Sequence, residues 1–172
     1  MSIKNLFAGL SVAAVALMIV PDAWSSTQSV TANIAFDTPL TLTKTSDINF
    51  GTVTASNAST YNITTAGAVT TTAGTGAYLY GATTAGSITI AGPTADTLTI
   101  SVGGYTANNG VTPSNASCAY NGGAAVTPCS YTTAVAPGAG KTLLLGATVA
   151  ADGTQAAGTT AAPTFTVTVT YN

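Results

Sequence analysis

Side chains alternate with a period of two along much of this chain, and after Ser26 no useful length of helical periodicity appears. The cleanest case is Pro163-Thr-Phe-Thr-Val-Thr-Val-Thr-Tyr-Asn172. Phe165, Val167, Val169 and Tyr171 fall on one side, and Thr164, Thr166, Thr168 and Thr170 on the other. Period two is that of a β-strand, so this segment is expected to be a closing strand with one apolar and one hydroxyl face. Val30-Thr-Ala-Asn-Ile-Ala-Phe36 alternates likewise, aligning Val30, Ala32, Ile34 and Phe36, and Leu40-Thr-Leu42 continues it after Pro39. Further short runs lie at 48–53, 60–63, 77–80, 87–90, 96–102 and 141–149, separated by Gly, Asn, Ser and Pro. Many short strands joined by turns, without helices between them, predict an all-β fold: a single antiparallel β-sandwich over residues 26–172. Thr-Thr-Ala-Gly recurs at 64–67, 71–74 and 83–86, but the unequal intervals mark composition rather than a solenoid repeat.

The first residues predict export. One charge, Lys4, precedes an apolar run from Leu6 to Val20, and Pro21-Asp22 ends it. Ala23-Trp24-Ser25 places small residues at the two positions that a signal peptidase reads, so residues 1–25 are expected to be removed before Ser26. A retained anchor is the other reading, but the run falls short of the roughly 20 residues a bilayer requires. No Cys follows it to carry a lipid.

Charge is scarce. Charged residues are 5% of the chain, and after the leader only Lys44, Lys141, Asp37, Asp47, Asp96 and Asp152 carry charge. With a net charge of −2 and no basic cluster, nucleic acid is not an expected partner. Solubility then rests on hydroxyls and amides. The chain has 35 Thr, a β-branched residue suited to a half-exposed pleated surface.

The same inventory bears on catalysis. There is no His, Glu or Arg, which removes the ordinary nucleophile–base triads and most oxyanion clamps. Two Asp meeting in space would be needed for glycoside chemistry, whereas four scattered Asp read more simply as solvated loop residues, some with weak calcium affinity. The expectation is a non-enzyme with no cofactor, no metal and no catalytic residue. Pro137-Gly-Ala-Gly-Lys-Thr142 resembles the end of a phosphate-binding loop, but the first Gly of that pattern is replaced by Val135 and the following residues read as strand. A turn is expected there, and no nucleotide partner. Thr-x-Thr elements at 41–43, 52–54 and 97–99 are too irregularly spaced for an ice-binding array. A membrane barrel would want aromatic girdles, and the mature chain has no Trp and three Phe, so an integral membrane protein is not expected.

Cys118 and Cys129 are the only cysteines. In an oxidising compartment such a pair is expected to be a disulfide. Ten intervening residues do not make a redox C-x-x-C, and no His or third Cys completes a zinc set. Ala119-Tyr-Asn-Gly-Gly123 is a turn signal, so the bond is expected to staple a hairpin while the core lies in the strands.

Four segments carry a family resemblance: Ala32-Asn-Ile-Ala-Phe-Asp-Thr-Pro-Leu-Thr-Leu42, Asp47-Ile-Asn-Phe-Gly51, Gly138-Ala-Gly-Lys-Thr-Leu-Leu-Leu-Gly146 and the closing strand. Together they resemble the secreted bacterial domain-of-unknown-function family four-four-zero-two. That family is similar in layout to spore-coat-protein-U and chaperone–usher pilin domains, which are incomplete immunoglobulin-like sandwiches. Those pilins also have an early Asn/Phe-Gly strand and an aromatic one residue before the end. Their cysteines join the first two strands, whereas Cys118 and Cys129 lie late.

A regular apolar strand such as 165–171 has to be covered, because an exposed edge invites association. Val30–Phe36 of the same chain is one cover, and the same segment of a neighbouring copy is the other. The resemblance to pilins favours the second. It implies a surface filament or coat subunit of a Gram-negative cell, whose partners are copies of itself, a periplasmic chaperone and an outer-membrane usher. A self-contained secreted adhesin or carbohydrate-binding module is the alternative.

Overall fold

A computed structural model describes residues 28–172, so the expected leader lies outside the described residues. The chain divides into two units, 1–35 and 36–172. In the first, residues 28–35 carry no regular secondary structure and are exposed. The expected strand at Val30–Phe36 is therefore not formed. A strand exists only as part of a ladder, and residues 28–40 have no ladder partner among the described residues.

The second unit contains only strands: β1 (Thr41–Ser46), β2 (Thr52–Val53), β3 (Ala58–Ile63), β4 (Val69–Gly74), β5 (Tyr78–Tyr80), β6 (Gly86–Ala91), β7 (Leu98–Thr106), β8 (Val111–Tyr120), β9 (Ser130–Ala134), β10 (Lys141–Asp152) and β11 (Thr164–Tyr171). Every pairing is antiparallel, and the sheets are open rather than closed into a barrel. This is the expected β-sandwich. Expected runs at 60–63, 87–90 and 141–149 fall within β3, β6 and β10, and the run at 96–102 overlaps β7 from Leu98 onward. The run at 48–53 is strand only at Thr52–Val53. Three strands had no alternation to reveal them: β4, β8 and β9.

β10 organises the larger sheet. One of its edges pairs with β8 from Leu143 to Ala151. Its other edge pairs first with β6, from Lys141 to Leu145, and then with β3, from Ala147 to Asp152. The change of partner falls at Gly146. A Cβ there would overlap the Ile63 carbonyl oxygen and lie 2.6 Å from Ser117 Oγ, so only glycine fits where β3 and β8 flank β10. β1 extends this sheet beyond β6, and β4 extends it beyond β3.

The opposing sheet has the order β11-β7-β9. Leu98 and Ile100 of β7 pack in one buried cluster with Ile90, Leu143, Leu145 and Tyr120 of the larger sheet. Cys118 and Cys129 are bonded, with Cα atoms 5.0 Å apart. The chain does reverse between them, since Cys118 and Val126 exchange backbone hydrogen bonds of 3.0 and 2.8 Å. The staple is nevertheless more than a hairpin clip. Cys118 belongs to β8 and Cys129 directly precedes β9, so the bond joins the two sheets, and both cysteines are buried in the shared core.

Pro137–Lys141 is a turn, with Gly140 N donating to Pro137 O at 3.2 Å, and it opens β10 rather than a helix. At another turn, Asp152 Oδ1 accepts from Thr154 N (2.9 Å), Thr154 Oγ1 (2.7 Å) and Gln155 Nε2 (2.7 Å). These donors, led by the Thr154 amide, hold the Asp152 carboxyl below its ordinary range.

Two stability measurements follow. Gly146→Val is expected to lose about 3 kcal/mol in urea unfolding, because the displaced neighbours are backbone. Gly103→Ala, at a site with nothing within 4 Å, is expected to change stability by less than about 1 kcal/mol. Equal losses at both positions would contradict the partner change at Gly146. For the cysteines, alkylation without reductant is expected to label neither, and the double Cys→Ala variant to unfold about 3 kcal/mol more easily. Labelling of both in freshly exported protein would contradict the bond.

Candidate functional site

β11 ends its sheet, so only one of its edges is paired. Residues 166–171 pair with β7 in register from Thr166↔Gly103 to Tyr171↔Leu98. The expected alternation holds: Phe165, Val167 and Val169 are half-buried against the core, and the Thr residues between them are exposed. None of these apolar side chains reaches full burial, because β11 has no neighbour on its far side. Phe165 also packs against Tyr105, with ring centroids 5.9 Å apart.

Beside that edge lies a groove of about 510 Å³. Phe165 and Val167 line it from β11, and Leu145, Ala147 and Val149 of β10 line it from the larger sheet. Its lining therefore spans the point where β10 changes partner from β6 to β3.

Asp47–Gly51 forms part of the rim. Asn49 exchanges backbone hydrogen bonds with Thr84, at 2.8 and 2.9 Å, and its Oδ1 accepts from Gly51 N at 2.9 Å. Gly51 adopts φ +68°, and a Cβ there would come within 2.8 Å of the Tyr78 ring. The Asn-Phe-Gly element is thus a tight turn at the groove mouth rather than part of a strand. Leu145 and Gly146 of the Leu-Leu-Leu-Gly element lie at the groove and at the partner change. Segments far apart in sequence converge here.

The groove lining carries two charges, Lys44 and Asp47. Lys44 Nζ donates to Asp47 Oδ1 at 2.7 Å, with both side chains largely exposed. Among the described residues no group of three or more His, Cys, Asp or Glu is placed to hold a metal.

The expected site residues separate into three places. Cys118 and Cys129 lie in the core. Phe165 and Val167 line the groove, while Val169 packs on the core and Tyr171 is 40% exposed. The Tyr171 hydroxyl donates to Thr38 O at 3.1 Å. Desolvation, followed by the Asp37 and Asp96 carboxylates, raises its pKa. Val30, Ile34 and Phe36 are 89%, 75% and 88% exposed, and Ala32 is exposed with them. Sequence reasoning missed Lys44, Ile48, Ile88 and Ala147 as groove residues. Periodicity marks their strands but does not say which edge stays open.

A family model described as Domain of unknown function (DUF4402) matches residues 40–171. It begins at Leu40, after the exposed alternating segment, and runs to the last aromatic residue. No curated protein and no solved structure matches the chain. From its first strand to its last, this chain belongs to the DUF4402 family.

Proposed function

We propose that this protein is a non-catalytic structural subunit of an exported surface assembly, built by strand addition between copies. Val30–Phe36 of one copy enters the groove beside β11 of the next. The observation that carries this reading is an apolar groove along a free strand edge, in a chain whose own alternating segment is exposed.

Strand addition answers two problems at once. The backbone groups of β11 on its open side gain partners, and apolar side chains on both copies leave water. Each of Val30, Ile34 and Phe36 contributes about 1.5–3 kcal/mol on full burial, an amount large against a domain's net stability. Donor and acceptor are different surfaces, so the contact does not close on itself and extends into a linear assembly.

The disulfide supports an oxidising compartment, and the expected leader supports export, with the periplasm, cell surface or extracellular medium as destination. A periplasmic chaperone and an outer-membrane usher are the helpers this route calls for. The non-catalytic part of the proposal rests on the missing His, Glu and Arg.

Gentle extraction of the intact protein is expected to give a ladder of multiples, and deletion of residues 26–36 to abolish it. A peptide covering 28–38, added to the deleted protein, is expected to raise its Tm by about 4 °C or more. If the intact protein stays monomeric at high concentration, with 30–36 protected from hydrogen exchange, strand addition between copies fails. The self-contained binding module then takes its place.

A further inference from the structure

Building on that strand-addition reading, we propose that Lys44 fixes the direction of the inserted segment by pairing with Asp37 of the donating copy. The charge distribution leaves few choices. Asp37 is the single charged residue between 28 and 43. Lys44 is the single cation lining the groove, and Lys141, the other lysine of the described residues, donates instead to Ala136 O at 2.7 Å.

The lengths agree as well. Lys44 pairs with Ile88 and Ile88 with Leu143, which sets one level of the sheet. Pro113, also in the lining, pairs with Val149 and sets another. From Leu143 to Val149 a strand advances about 20 Å, the same advance as from Val30 to Phe36. A donor whose Phe36 lies at the Lys44 level brings Asp37 beside the ammonium, and Val30 lies at the Pro113 level. The reverse direction places Asp37 near Pro113, Ala161 and Ala162, where the lining offers no charge to receive a carboxylate.

Lys44 already pairs with its own Asp47, but exposed pairs of this kind add little to stability. An ammonium has three donors and can hold both carboxylates. Charge complementarity of this sort selects orientation and register more than it adds affinity.

The test uses the full chain throughout. Lys44→Glu and Asp37→Lys are each expected to slow multimer formation by about fivefold or more, and the double variant to return within about twofold of the original rate. Asp96→Lys is expected not to rescue Lys44→Glu. In a mixture of isotopically light and heavy copies, carbodiimide coupling is expected to join Lys44 to Asp37 of the other copy. Failure of the double variant to recover, or coupling of Lys44 only to its own Asp47, overturns the assignment and leaves strand addition standing. Absence of multimers from the unaltered protein removes the underlying reading and this one with it.

Discussion

β10 is hydrogen-bonded along both edges, and one of those edges changes partner at Gly146. That change governs the rest of the second unit. On that edge β6 carries β1 and β3 carries β4. The apolar residues of β10 face the core that the sheet β11-β7-β9 shares. Leu145, Ala147 and Val149 are buried, and they line the groove from that face. The fold is well packed where the disulfide ties β8 to the head of β9, and under-covered at the opposite lip, where β11 has no outer neighbour.

The energetics of the two lips differ accordingly. Around Cys118 the side chains are buried and the chain is cross-linked, so opening there costs both burial and loop closure. Along β11 the apolar residues are half-buried and a row of backbone groups faces outward. A domain built in this way is cross-linked and buried at one lip and leaves a strand edge unpaired at the other. Lys44, Asp47 and the Asn49–Gly51 turn frame that second side, which gives an otherwise apolar groove a polar rim.

Much of the fold was legible because alternation is a local signal. Thr164–Tyr171 reads as a strand from its own side chains, and its inward residues are the ones the pattern selects. β8 is the opposite case. Val111–Tyr120 contains Pro113, Ser114 and Asn115, with no alternation, yet it pairs along nearly the whole of β10. Asn115 has φ 42°, and the ladder shifts register near it, so a bulge absorbs the residue that breaks the pattern. β4 escaped notice for a related reason: Thr70, Thr71 and Thr72 offer a strand surface but no apolar face. Val30–Phe36 shows the reverse case. Its alternation is as clean as that of β11, but alternation only states which face is apolar, and a ladder also needs a neighbour. The groove itself was not legible, because an open edge is a property of pairing between distant segments.

The outer edge of β11 is unpaired in the lone domain, and the proposed assembly fills it. Alternate amides of an antiparallel edge strand point away from its one neighbour, so they report directly on that edge. Residue-resolved hydrogen exchange across 164–171, compared between protein lacking residues 26–36 and the assembled full-length chain, is the most direct measurement. The outward amides are expected to exchange freely in the shortened protein and to be protected by about 100-fold or more in the assembly. Equal protection of outward and inward amides in the shortened protein would contradict it, because the edge would then be covered without a partner strand.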